Sequence, residues 1–128
     1  MTPFSIVLYS DAQDHFYEAV SFAGAAVARG EEVLLFLRGP ALRAFVHGRW
    51  PDPADKEVKE GLERFQALSP HDLLAEIRAK GKARVYACSA WARMLRIDGG
   101  ETASRVDAVI GLNAFLSQSQ GGRILYLG

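Results

Sequence analysis

The chain predicts an α/β protein: a three-layer α/β/α sandwich built on a mainly parallel five-stranded sheet. Three observations carry this expectation. Short β-rich apolar runs alternate along the chain with segments of helical periodicity, the order of a parallel sheet with crossover helices. The first runs are unbroken rather than alternating, as in Ile6-Val7-Leu8 and Val33-Leu34-Leu35-Phe36-Leu37, so both faces of those strands are covered. The 128 residues, 49% of them hydrophobic, suffice for one buried core, which gives a single domain over residues 1–128.

Taken in order, Phe4-Ser5-Ile6-Val7-Leu8-Tyr9 reads as a buried strand. Ser10 or Asp11 then caps a helix over residues 13–29, where Phe16, Val20, Ala23 and Val27 share a face and Gly30 ends the run. Residues 32–37 are the second strand, and Pro40 opens a short helix over residues 41–47. Residues 48–64 form the most polar stretch and read as the most mobile, with Val58, Leu62 and Phe65 marking a weak helical face. Ser69-Pro70-His71-Asp72 is a helix start, with a Ser cap, Pro in the first turn and an acidic residue three after the Ser. Leu73, Leu74 and Ile77 give this helix its apolar face, and Gly81 stops it. Residues 83–88 are the third strand, followed directly by a short helix over residues 89–95. Residues 107–111 make a shorter fourth strand, residues 113–120 a helix with Asn113 near its cap, and residues 123–127 the fifth strand. The spatial order of the strands is not legible at this level.

Fifteen basic residues against fifteen acidic ones leave a formal net charge of zero, so neither nucleic acid nor an anionic membrane is an expected partner. The apolar fraction rules out a disordered chain. Cys88 is the sole cysteine, which excludes an intrachain disulfide and a Cys-rich zinc site. One free thiol without an export segment fits a reducing, cytoplasmic setting. The apolar run before Tyr9 has no basic residues ahead of it and is soon followed by Asp11 and Asp14, unlike a signal peptide. No stretch approaches the roughly 20 apolar residues of a membrane span.

In sheets of this class, ligands and reactive groups gather beyond the carboxyl ends of the strands. Those ends are Ser10-Asp11, Arg38-Gly39-Pro40, Cys88-Ser89 and Gly111-Leu112-Asn113. Cys88 closes one strand and stands at the entrance of a helix, where amide N–H groups lack intrahelical partners. That setting stabilises a thiolate, and equally a persulfide. A small buried hydrophobe is the plainer reading of a lone cysteine after a strand.

The run Val85-Tyr86-Ala87-Cys88-Ser89-Ala90-Trp91 resembles the strand-Cys-helix of the DsrE/DsrF/TusD group of small sulfur-relay proteins. The block Val106-Asp107-Ala108-Val109-Ile110-Gly111-Leu112-Asn113-Ala114-Phe115-Leu116 is similar to that family's segment before its last helix, and Gly122-Arg123-Ile124-Leu125-Tyr126-Leu127 to its closing strand. The opening strand, small-residue helix and second strand agree as well, so the resemblance spans nearly the whole chain, by pattern and without a long invariant motif. It implies a flavodoxin-like, DsrE-like fold and assembly as a trimer or hexamer. It also implies a cysteine at this strand end that accepts a sulfane sulfur as a persulfide and passes it on, and Cys88 is the matching position. Sulfur donor and acceptor are then separate proteins, and neither metal nor organic cofactor is required. The absence of a second cysteine argues against a dithiol mechanism. Two features depart from the family pattern: the polar stretch over residues 48–64, and the bulk of Trp91 and Arg93 just after the cysteine.

Other residues are weighed both ways. Asp11 is read first as a helix cap, and Asp11 and Asp14 as ligand-orienting groups second. His15 is an exposed histidine without a task, or a local base if the loops converge on Cys88. Arg38 is a solvated arginine or the positive charge beside a persulfide. His47 and His71 do not reach a metal-binding spacing, so no metal is assigned. Gly39-Pro40 and Gly121-Gly122 are not phosphate-cradling loops, and Gly-x-Ser-x-Gly is absent. Arg78, Lys80, Lys82 and Arg84 form a solvated helix end or a docking surface for an acidic partner. Phe16, Tyr17 and Phe22 place apolar groups on more than one face of the first helix, which favours self-association. The leading reading is a sulfur relay through Cys88. The second is a non-catalytic oligomeric binding or assembly module with Cys88 structural. The third is a small-ligand binder using the Ser10-Asp11 and Gly111-Asn113 loops. Residues 48–64 are a candidate flap over the thiol.

Overall fold

The computed structural model describes residues 2–65 and 69–128. The chain begins with β1 (Phe4–Leu8), α1 (Gln13–Ala28), β2 (Val33–Leu37) and α2 (Gly39–His47). Next come α3 (Lys56–Phe65), α4 (Pro70–Ala79), β3 (Ala83–Cys88), α5 (Ser89–Met94) and α6 (Gly99–Arg105). It closes with β4 (Ala108–Ile110), α7 (Leu112–Gln118) and β5 (Arg123–Leu127). The five strands form one sheet in the order β4-β3-β2-β1-β5, and every pairing is parallel.

This order explains the layers. From β1 to β4 each connection steps one strand in the same direction, whereas the connection from β4 to β5 returns across β3, β2 and β1. Right-handed crossovers running in opposite directions lay their helices on opposite faces. The first face accordingly carries α1, α2 and α4. Phe16, Val20 and Ala23 of α1, Leu42 and Phe45 of α2, and Leu74 and Ile77 of α4 are buried there against Ile6, Leu8, Leu35, Leu37 and Val85. The second face carries α7, where Phe115 joins Val7, Leu34, Phe36, Tyr86 and Cys88. Phe115 stacks on Phe36, with centroids 4.4 Å apart. The Ser5 hydroxyl donates to Ser119 Oγ at 2.9 Å, and Ser119 donates to the Phe115 carbonyl at 2.9 Å, so two buried hydroxyls fasten β1 to the end of α7 with their donors satisfied.

Helix boundaries follow the sequence signals where a side chain caps. Ser69 Oγ accepts from the Asp72 N–H at 3.1 Å, with Pro70 opening α4 as expected. Gly30 and Gly81 lie past the ends of α1 and α4 with positive φ. Two expected caps are corrected. The residue before α1 is Ala12, neither Ser10 nor Asp11, and it makes no side-chain cap; Ser10 Oγ accepts the Ala12 N–H and the Gln13 N–H goes to the Pro51 carbonyl. Gly111 rather than Asn113 precedes α7. The short helix α6 was not anticipated from sequence. Its signal is Asp98-x-x-Glu101, and Asp98 Oδ1 does accept from the Glu101 N–H at 2.9 Å.

The polar stretch after α2 contains α3, with Val58 exposed; the Phe65 side chain lies outside the described residues. Trp50 stacks on Phe16 with centroids 4.2 Å apart, and its Nε1–H donates to His71 Nε2 at 3.0 Å. These contacts bind Trp50 to the first face, whereas Cys88 belongs to the second. The Trp50 end of this stretch therefore does not form a flap over the thiol.

Candidate functional site

Cys88 is the last residue of β3, level with Ile110 of β4, at the carboxyl edge of the sheet. It is 1% exposed. It belongs to a buried cluster with Val7, Leu34, Phe36, Tyr86 and Phe115, and Trp91, Ala108 and Ile110 pack against that cluster. The backbone of Cys88 is extended and leads straight into α5, and its side chain makes no capping bond to that helix. The thiol thus sits where the sequence places it along the chain, inside an apolar group that the sequence did not reveal.

The cover over this edge is thin. None of the six residues of α5 is buried; only Trp91 and Ala92 pack on the core. Trp91 meets the Tyr9 ring edge-on at 5.6 Å. The helix closes with the N–H of Arg96 on the Arg93 carbonyl and the N–H of Ile97 on the Ala92 carbonyl, a Schellman turn that holds Arg96 at φ 53°. A left-handed arginine at that place costs about 1 kcal/mol relative to glycine. Few buried contacts and a strained end mark α5 as a segment of low local stability.

Arg38 is a sequence candidate that the fold brings alongside Cys88. Leu37 pairs with Ala87, so the next residues, Arg38 and Cys88, leave the sheet side by side. The Arg38 guanidinium carbon lies 6.0 Å from the centroid of Phe36, a member of the Cys88 cluster, and Arg38 Nε is buried without a hydrogen-bond partner among the described residues. Asp14 Oδ1 and His15 Nδ1 are likewise buried and unpartnered, but both residues belong to α1, in the layer on the other face. Asp11 lines an open groove of about 310 Å³ with Arg43, His47, Arg49 and three apolar residues, away from the Gly111-Asn113 loop. His47 Nε2 stands 3.7 Å from Glu101 Oε2, while His71 accepts from Trp50. Among the described residues no group of three His, Cys, Asp or Glu converges. No described helix is long and apolar enough to cross a membrane.

Two polar constellations were missed by sequence reasoning. One is the Ser5–Ser119 pair, whose partners are 114 positions apart and carry no local pattern. The other is Asp107, which accepts from the Val85 N–H at 2.7 Å and stands 3.1 Å from Arg78 Nη2. Arg78 thereby leaves the solvated basic run for a paired position.

No protein-family model matches the chain, and no curated protein matches it. Solved structures do. A protein of unknown function from Methanobacterium thermoautotrophicum is 14% identical and superposes with a TM-score of 0.68, covering 99% of this chain and 100% of that one. A conserved protein of unknown function from Bacteroides thetaiotaomicron is 14% identical with a TM-score of 0.66, covering 98% of this chain and 94% of that one. At such identity the likeness shows the fold alone.

Proposed function

We propose that the chain is a DsrE-like sulfur carrier, working as a homo-oligomer in the cytoplasm, with Cys88 as the sulfur-accepting residue. The observation that supports this most is the position of Cys88. It ends an interior strand at the carboxyl edge, the first-turn amides of α5 follow it, and Arg38 leaves the next strand on the same face. In the transfer, the Cys88 thiolate attacks the outer sulfur of a donor persulfide. The new bond joins Sγ to that sulfur, the donor S–S bond breaks, and the donor departs as its thiolate. An acceptor cysteine later repeats the exchange on Cys88. Because the residue is 1% exposed, its cluster, closed by Phe115 of α7 with Trp91 of α5 packed against it, must open locally before either exchange.

The same burial favours a second reading, an assembly or binding module in which Cys88 only packs between Phe36, Tyr86 and Phe115. Intact mass after incubation with a persulfide donor separates the two. The carrier gains one sulfur, loses it to an added thiol, and shows neither change in Cys88→Ser. Trp91→Ala, which loosens α5, is expected to speed alkylation of Cys88 by at least about tenfold. If the native protein takes no sulfur and its thiol reacts only as fast as the whole molecule unfolds, the module is the correct reading.

A further inference from the structure

Four large apolar side chains stand half-exposed on the second face: Leu112 (42%) and Leu116 (47%) on α7, and Ile124 (50%) and Tyr126 (57%) on β5. They form one surface. Ile124 pairs with Ser5 and Tyr126 with Val7, so both project from the face on which Val7 is buried. On α7, Phe115 and Ser119 point down onto Phe36 and Ser5, and Gln118 leans toward β3, where its Oε1 accepts from the Tyr86 hydroxyl at 2.8 Å. At about 100° per residue, Leu112 and Leu116 fall on the opposite flank of the helix, the flank that overlooks β1 and β5. The result is a step, with α7 as the riser and the edge strand β5 as the tread.

The chemistry of this step suits a second copy of the same chain. Residues 111–122 contain no Asp, Glu, Lys or Arg, although 23% of the chain is charged. Depletion of charge is the compositional mark of an interface core. A strongly charged partner finds nothing to pair with on α7, and a formal net charge of zero leaves no repulsion between two copies. Riser and tread lie side by side on one molecule, so a two-fold axis seats the α7 flank of each copy over β5 of the other. A standard interface buries roughly 800 Å² a side, somewhat more than half of it apolar. The four side chains supply on the order of 350 Å² of that apolar area. Asn113 and Ser117 provide an uncharged polar rim.

We infer that two copies of the chain associate through the α7 flank and the exposed face of β5. The contact is independent of sulfur chemistry at Cys88, and it differs from the one the first helix suggests. Most of the apolar side of α1 is inside; Phe22, 44% exposed, stacks on Phe4 of its own chain. Light scattering at micromolar concentration, on wild type and on Leu116→Glu, Tyr126→Glu and Phe22→Glu, tests the assignment. The wild type is expected to be a dimer or an even-numbered assembly. Leu116→Glu and Tyr126→Glu each weaken the two-fold contact by at least about tenfold, while Phe22→Glu leaves it intact. Circular dichroism checks that each variant folds, and Leu116→Ser or Tyr126→Ser replaces one that does not. A monomeric wild type, a lone trimer (which has no two-fold contact), or assembly lost only in Phe22→Glu overturns the inference.

Discussion

Gly39 meets two demands at once. Its φ of 53° lies in the left-handed region, and a Cβ there would run into the Tyr9 ring. That ring is the one that meets Trp91, so an added methyl at Gly39 is felt at a side chain that packs against the Cys88 cluster. Gly39→Ala is expected to destabilise by about 2–4 kcal/mol, combining backbone strain with overpacking. Chemical denaturation measures it, and a change below about 1 kcal/mol would mean that Tyr9 swings aside freely. In the sequence, Gly39-Pro40 was legible as a strand end and, through Pro40, as a helix start. The need for glycine arises from where Tyr9 travels, which belongs to another element. Cys88 shows the same division. Its place at a strand terminus follows from the run Ala83–Cys88, but its burial comes from Phe36 and Phe115, residues far away along the chain.

At the scale of elements, β4 is the weakest strand of the sheet. Its three residues pair only with Tyr86, Ala87 and Cys88 of β3. The Val85 N–H, just before that pairing, would be left over, and Asp107 takes it. Its carboxylate accepts from Val85 N at 2.7 Å while its own N–H donates to the Val85 carbonyl at 2.7 Å, which lengthens the ladder by one rung. Asp107→Ala is expected to lower stability by about 1–3 kcal/mol, mostly by orphaning that N–H. The partly exposed ion pair with Arg78 adds little. Asp107→Asn keeps an acceptor oxygen and should retain most of the stability; denaturant midpoints of the two variants beside wild type decide it, and an alanine variant equal to wild type would show that water replaces the carboxylate. The sequence presents Asp107 as the first residue of a strand, since nothing local tells a ladder residue from a side chain standing in for one. Helix α6 was hidden differently. Asp98-x-x-Glu101 is a start signal, but Gly99-Gly100, poor helix formers, occupy its first turn.

For the whole molecule, the group around His71 couples stability to pH. His71 lies 4.8 Å from Phe16 and 5.7 Å from Phe45 between ring centroids, and it accepts from Trp50, so α1, α2, α4 and the segment after α2 meet there. Burial, and then the Arg105 cation, push its pKa below 6.5, against a smaller opposing pull from Asp72. The folded protein therefore holds the neutral ring, while the unfolded chain takes up a proton near the ordinary value. This share of stability is present in full above about pH 6.5 and is lost as pH falls from there through the lowered folded value. The unfolding midpoint should drop on going from about pH 7 to about pH 5. His71→Gln, whose side-chain oxygen accepts from Trp50 without titrating, should flatten the drop. A wild-type midpoint that does not fall more than that of His71→Gln would refute the coupling.

The amino-acid order by itself determined the alternation of strands and helices, all five strands to within a residue at each end, the Ser69 start of α4, the glycine stops of α1 and α4, and the place of Cys88 at a carboxyl edge. These features rest on contacts between residues a few positions apart, which periodicity and capping chemistry record directly. Only the tertiary structure decided the strand order, the face to which each helix was assigned, the sealing of Cys88 and the bare step between α7 and β5. The place of β5, the face taken by α7 with its Phe115 in the Cys88 cluster, and the bare step follow from one long return, from β4 across the sheet to β5. That return sends α7 alone to the second face, where two turns of helix cannot cover five strands.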